Sequence, residues 1–257
     1  MLLSLFLCCT ALAQQYDRSS EQELVRLVNE ERAKAGLGTL ETDDRLTQVA
    51  RQHSELMAEK NALSHQFGGE PNVLRRIAST TLRFNSSGEN VAFDATARRA
   101  HVGLMNSPPH RANIMRSGFN VIGVGVVRKG DLIYVTQNFA HRLPEISIVE
   151  AEQIIAKAFA SLRKSAGANT LPQRRNPELR KIACDMANDD RLNASALRGI
   201  DGVRNMVVYT ATELDKLPSS AQKLREEQAS GYSVGACFAK SASYPNAVYW
   251  VALVTYF

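Results

Sequence analysis

Three side chains in the first half of the chain, His65, Glu89 and His110, are of the types that bind a divalent cation or move a proton. Neutral imidazoles and a carboxylate suit a borderline ion such as zinc, with positions left over for water or a ligand. The same groups can do acid–base work, with Glu89 accepting a proton from a bound water. Each sits beside residues that shape the backbone. Gly88 is able to take a positive φ just before Glu89, and Pro108 and Pro109 stiffen the approach to His110. Taken singly, each histidine is equally well read as a satisfied or solvent-facing residue. The 14–143 segment contains no GxSxG, no HExxH and no cysteine, so a serine or cysteine nucleophile is not expected there.

Five motifs surround these residues in order. They are LVNEERAKAGL from Leu27, LSH ending at His65, SGENVA around Glu89, MNSPPHRANIM over 105–115 and IGVGVV over 122–127. Together, from Leu24 to Phe139, they resemble the CAP superfamily (cysteine-rich secretory proteins, antigen 5, pathogenesis-related 1) in its bacterial SCP-like form. The resemblance implies an α/β fold, an α-β-α three-layer sandwich, whose cleft gathers two histidines and acidic residues around a divalent cation, often zinc. Carried over by position, the metal histidines are His65 and His110, the acid with catalytic potential is Glu89, and the cleft also takes in Ser107 and Asn113. Many eukaryotic members carry a Trp and a second Glu where this chain has Leu104 and Ser107, so the family's full acidic set is incomplete here. Family members have been associated with lipid or sterol binding, proteolysis, defence and cell-wall interaction, with no single shared activity.

The elements that must position these residues are legible as periodicity. Ser20 and Glu23 form a capping box before a helix over 21–35, and Asp43–Asp44 open a second that carries Leu46, Val49, Ala50, His53 and Met57 on one side. His53 on that stripe reads as a packed core histidine. Pro71 starts a short helix through Ile77, Asn85–Gly88 reads as a loop, and Asp94 caps a helix bearing His101 that breaks at Ser107–Pro109. His101 is expected at the surface or a helix edge. Arg111 and Asn113 either serve a ligand or tie the short turn after His110 to its neighbours. Runs 121–127 and 131–139 form a hairpin of central strands, nearly continuous in apolar character, and His141 falls in the linker beyond.

With 257 residues, 44% hydrophobic and 22% charged, the composition is that of an ordinary globular protein with room for two domains. Residues 1–13 read as a signal peptide cleaved before Gln14, with 14–143 and 144–257 as the two domains. A dozen apolar residues are too few to span a bilayer, which needs about 20, so no transmembrane segment is expected in the mature chain. Removing the leader removes Cys8 and Cys9. It leaves Cys184 and Cys237, which in an exported chain favour one disulfide and otherwise are two buried thiols. The net charge of +5 lacks any stripe of Lys and Arg interleaved with aromatics, which argues against nucleic acid and allows only weak attraction to anionic envelope polymers.

The second half echoes the first. AGANTL at 166–171 matches AGLGTL at 35–40, LRKIACDMA at 179–187 matches LTQVARQHS at 46–54, and YSVGACFA and VYWVALVTYF stand where the hairpin strands do. A helix from about Val149 to Ala166 precedes them, and Asn176–Pro177 cap the next. No histidine follows His141, so the second half is read as a degenerate second CAP-like unit, or another α/β domain, without the histidine site. A true repeat would put Cys184 on its second helix and Cys237 on the first strand of its hairpin, close enough to bond. The functional expectation is a secreted, periplasmic or extracellular protein whose His-Glu-His cleft binds zinc or another divalent cation and an envelope or small apolar ligand, without established catalysis, with a cell-envelope component, lipid or protein as partner. The alternatives are a metal-assisted hydrolase of peptide or wall substrates, and a scaffold whose second domain is the partner surface.

Overall fold

The computed structural model describes residues 16–225 and 228–257. The leader expected over 1–13, with Cys8 and Cys9, lies outside them. Two compact units divide the chain, one running to Thr80 and resuming over Ser86–Arg142, the other comprising Thr81–Asn85 and Leu143–Phe257.

The first unit has helices α1 (Arg18–Lys34), α2 (Asp44–Lys60), α3 (Val73–Ala78), α4 (Ala97–Asn106) and α5 (Pro108–Ile114). Its strands are β1 (Glu41–Thr42), β2 (Phe84–Asp94), β3 (Val121–Lys129) and β4 (Leu132–Arg142), in sheet order β1-β3-β4-β2. Alternation along β3 sorts the layers, because successive residues of a strand face opposite sides. Ile122, Val124 and Val126 join a core with Leu24 and Val28 of α1 and Ala100 and Leu104 of α4. Gly123 and Gly125 face α2 instead. A Cβ on Gly125 would lie 2.2 Å from the Arg51 nitrogen, so only the missing side chain lets helix backbone and strand approach this closely. The unit is thus an α-β-α sandwich, with α1 and α4 on one face of the sheet and α2 on the other.

Several local expectations are corrected. Asp17, rather than Ser20, caps α1, accepting the Ser20 N–H at 3.0 Å. Glu21 instead turns inward, where Arg51 grips its carboxylate at 2.8 and 2.6 Å and the Val126 N–H donates to it at 3.2 Å. Asn72 caps α3 and Thr96 caps α4. Asn85–Gly88 is the start of β2 and not a loop, and His141 belongs to β4, donating from Nδ1 to the Gly118 carbonyl at 2.7 Å. His101 is buried, with no partner for either ring nitrogen among the described residues.

The second unit has α6 (Ile148–Ser165), α7 (Pro177–Asn188), 3-10 turns at Ala194–Gly199 and Ser219–Leu224, and strands β5 (Val203–Ala211), β6 (Gly231–Ala239) and β7 (Val248–Tyr256). The sheet runs β5-β7-β6, antiparallel throughout. Ile155 and Phe159 of α6 pack with Val234, Val251 and Leu253 on one face, and Leu179, Ile182 and Met186 of α7 pack with Trp250, Ala252 and Val254 on the other. A disulfide joins Cys184 of α7 to Cys237 of β6 across a Cα separation of 5.1 Å.

Internal details recur in both units. Buried Arg32 donates to the Gly38 carbonyl and buried Arg163 to the Asn169 carbonyl, each just past the helix that carries it. Glu152 is gripped by Arg180 and accepts the Ala236 N–H, as Glu21 is by Arg51 and Val126. Gly235 meets the α7 backbone at Leu179 and Arg180 as Gly125 meets α2 at Ala50 and Arg51. A parallel bridge pairs Gln173 with Tyr232 as β1 pairs with β3. In these contacts Arg180 resembles Arg51, whereas the sequence echo of 179–187 with 46–54 pairs it with Thr47, one helical turn away.

Candidate functional site

Glu89 sits on β2, an edge strand of the first sheet, and the site straddles that edge. Its carboxylate is buried, with 2% of the side chain exposed. One oxygen accepts from His65 Nδ1 at 2.9 Å, and the other is bound by Arg76 Nη2. The Asn138 amide, oriented to satisfy both its atoms, donates to that second oxygen at 3.3 Å. Arg76 is itself nearly buried and also reaches Glu70 Oε1 at 2.7 Å, so two carboxylates share one guanidinium. Such a compensated set is the condition for burying charge at all.

His65 lies on the segment after α2 and leaves 57% of its side chain exposed. His110 enters from α5, and the two ring centres are 6.5 Å apart with planes inclined by 41°. The chain turns sharply to bring His110 there. Ser107 ends α4 and opens α5, donating its N–H to the Leu104 carbonyl and accepting the Arg111 N–H at 2.8 Å. Pro108 then starts the new helix, where a missing N–H costs nothing. Arg32 fixes the far end of this segment by donating to the Ile114, Arg116 and Phe119 carbonyls.

Below the histidines lies a polar floor. Asn90 donates to the His110 carbonyl and to Gln137 Oε1, both at 3.1 Å, and Asn113 donates to the Glu89 carbonyl at 3.1 Å and to Asn90 Oδ1 at 2.9 Å. Asn113 therefore ties β2 to α5, the structural side of its two readings. Asn90, Thr136, Gln137 and Asn138 are fully buried, although the strand carrying the last three read as nearly continuous apolar residues. Gly88 also departs from expectation. It lies in extended β2 and is not among the positive-φ residues; its role is clearance, since a Cβ there would be 2.9 Å from Asn113 Oδ1 and 3.1 Å from Phe119.

The two imidazoles are driven apart in proton affinity. The hydrogen bond that His65 donates to Glu89 raises His65 above its ordinary value, while burial and then the charge of His65 lower His110. His65 donates from Nδ1 to a carboxylate, which leaves Nε2 as its free lone pair when the ring is neutral, the arrangement of a metal-bound histidine oriented by an outer carboxylate. Among the described residues no three His, Cys, Asp or Glu side chains group as a metal site. The donor set that fits a cation is two imidazoles, with Glu89 engaged behind one of them.

One histidine outside the motifs also belongs here. His53 on α2 is fully buried, but its neighbours are polar, with Nε2 donating to the Ser64 carbonyl at 2.8 Å and Nδ1 lying 2.7 Å from Glu70 Oε1. Its helical face gave no hint of this. The nearby acid Glu70 and the base Arg76 were the only sequence signals available.

The family model for the cysteine-rich secretory protein family (CAP) matches residues 25–139. The chain is 38% identical over 125 residues to the uncharacterized membrane protein YlbC of Bacillus subtilis strain 168, a match covering 48% of this chain and 35% of that one. It is 35% identical over 113 residues to the uncharacterized protein YkwD of the same strain, covering 44% of each. This chain thus spans less than half the length of these curated relatives. The crystal structure of Na-ASP-1 aligns over 97% of this chain and 91% of that one with a TM-score of 0.51, at 9% identity a likeness of fold alone. No helix among the described residues is long and apolar enough to cross a membrane. The motifs, the sandwich and the family match agree: residues 25–139 are a CAP domain of the cysteine-rich secretory protein family.

Proposed function

We propose that this CAP domain binds a divalent cation, zinc foremost, through His65 and His110, and presents it to a ligand at the cell envelope of the exporting cell. The observation that carries the reading is the Glu89 carboxylate, held by Arg76 and accepting from His65 Nδ1 at 2.9 Å, with the His110 ring facing His65. Glu89 orients His65 and compensates its charge, and His110, lowered by burial, is neutral and ready to donate its lone pair near pH 7. Zinc held there would polarise a ligand oxygen or acidify a water. With two protein ligands the site is open, which suits ligand capture better than a structural role. Calorimetric titration with zinc tests this. Wild type is expected to bind one ion, and His65→Ala and His110→Ala each to weaken it at least tenfold. Equal affinity in all three proteins overturns the reading.

The opposite shifts of His65 and His110 favour one second reading, a hydrolase in which His65 gives a proton and His110 accepts one. A His65→Ala/His110→Ala double variant that keeps full activity on wall fragments eliminates it.

Export is supported by the Cys184–Cys237 disulfide, a bond that persists in oxidising compartments. The second unit reads best as a degenerate copy of the first. It repeats the helix–strand arginine and glutamate braces, yet the positions opposite and after its glycine contact are Ala252, Leu253 and Val254, where the first unit has Thr136, Gln137 and Asn138. The polar floor has become apolar, and a cleft like the first cannot be supported there. Its role is accordingly that of a scaffold or partner surface.

A further inference from the structure

We propose that His53, Glu70 and Arg76 form a buried clamp that positions His65, making them positioning residues of the cleft. The inference rests on the cation-binding reading for its purpose but on separate contacts for its geometry.

The segment that carries His65 has no regular structure between α2 and α3. An imidazole on such a segment would ordinarily sample many orientations, each lost on binding an ion. Here the backbone is pinned on three sides. His53 Nε2 donates to the Ser64 carbonyl at 2.8 Å, one peptide before His65. Arg76 Nη1 donates to the His65 carbonyl itself at 3.2 Å. Glu70 Oε2 accepts the Phe67 N–H at 3.0 Å.

These three anchors are not independent. Glu70 Oε1 lies 2.7 Å from both His53 Nδ1 and Arg76 Nη1, and Arg76 Nη1 lies 3.1 Å from His53 Nδ1, so the three side chains close into one cluster. The other end of the Arg76 guanidinium binds the second oxygen of Glu89, whose first oxygen receives His65 Nδ1. One planar, five-donor group therefore touches both the main chain of His65 and the carboxylate that orients its ring. Loss of any member lets the segment move relative to Glu89 while leaving His110, on its own helix, in place. His53 is fully buried and His65 is more than half exposed, so the rigid partner is inside and the functional ring outside.

A purely structural role predicts a change in stability alone, and positioning predicts a change in the His65 ring. The experiment uses the full chain with His53→Phe, which keeps a flat aromatic ring and removes every polar contact of the imidazole, and His53→Gln, which restores a donor toward Ser64. Long-range proton–nitrogen spectra of the metal-free protein, recorded at alkaline pH where imidazole is neutral, report the tautomer of each ring. Wild type and His53→Gln are expected to show His65 in one tautomer, with Nδ1 protonated. His53→Phe is expected to show a tautomer mixture or broadened signals at His65 and an unchanged His110. In zinc titration, the affinity of His53→Phe should fall at least about tenfold, the scale seen when partners behind a metal-bound histidine are removed, and that of His53→Gln should largely recover. A folded His53→Phe with the wild-type His65 spectrum overturns the proposal. Should His53→Phe not fold, Glu70→Gln takes its place with the same two outcomes. If wild type binds no zinc, the cation reading fails, and the tautomer measurement still decides the clamp.

Discussion

Alanine at Gly125 and at Gly103 should act in opposite directions. At Gly125 the added methyl would lie 2.2 Å from the Arg51 nitrogen and 2.3 Å from the Ala50 carbonyl carbon, both backbone atoms of α2. No rotamer relieves such a clash, so α2 must retreat by roughly 1 Å before ordinary contact distances return. That retreat loosens Leu46, Ala50 and Met57, all fully buried, and carries His53 away from the cleft. Overpacking typically costs about 1–3 kcal/mol and more when nothing yields, so a loss of about 3 kcal/mol is expected. At Gly103, on the exposed side of α4, nothing lies within 4 Å of the new methyl. Alanine there removes the helix penalty of glycine and should stabilise by about 0.5–1 kcal/mol. Urea unfolding followed by circular dichroism measures both. A Gly125→Ala protein within about 0.5 kcal/mol of wild type, the range of an inert surface change, would show that α2 is not seated on β3 as described.

Glu89→Gln removes one of the two carboxylates that share the Arg76 guanidinium, and because Glu70 still compensates that charge the loss is that of a charge-assisted hydrogen bond, about 1.5–3 kcal/mol; the urea midpoint should fall accordingly, and an unchanged midpoint would mean the pair is solvated. Reduction of Cys184–Cys237, which closes a loop of 53 residues, should cost about 4 kcal/mol by chain entropy, and Trp250, the one tryptophan and the cross-strand neighbour of Cys237, supplies the fluorescence readout. Stability should also depend on pH in two senses. His65, raised by its hydrogen bond to Glu89, contributes stability that is full below the unfolded value of 6.5 and is lost as pH rises through its higher folded value. His101 and His110, lowered chiefly by burial, contribute stability that is full above 6.5 and is lost as pH falls through their folded values. His101→Leu should therefore flatten the acid side of a urea-midpoint profile taken over about pH 5–8, and an unchanged acid side would place His101 in contact with water.

The layers were readable from periodicity because burial on one side of a helix or strand leaves a repeat in the residue types. Leu46, Ala50 and Met57 announced α2, and IGVGVV announced β3. The cleft residues were readable only through their motifs, and their physical roles were not. Gly88 looked like a turn residue because glycine's freedom of φ is visible in sequence, whereas the close approach of Asn113 is a property of two distant segments. Thr136, Gln137 and Asn138 lie in a strand flanked by apolar residues, and their partners on α2 and β2 are remote in the chain. His53 was read as a packed core histidine and is buried on α2, while its polar partners were not legible, because spacing reports burial without saying whether the neighbours are carbon or carboxylate. The sequence echo of 179–187 with 46–54 pairs Arg180 with Thr47, whereas the contacts of Arg180 resemble those of Arg51, one helical turn away. Similar residues recur at each turn of an amphipathic helix, and only the contacts of Arg180 with Glu152 and Gly235 separate the alternatives.

In the proposed cation site two imidazoles are the ligands and Glu89 stands behind one of them. The most direct measurement is a crystal structure of the zinc-soaked protein with anomalous data at the zinc edge. One anomalous peak is expected, bonded to His65 Nε2 and to His110, with Glu89 still joined to His65 Nδ1 and Arg76. A peak bonded to the Glu89 carboxylate with Arg76 displaced, or no peak between the two rings, would contradict it.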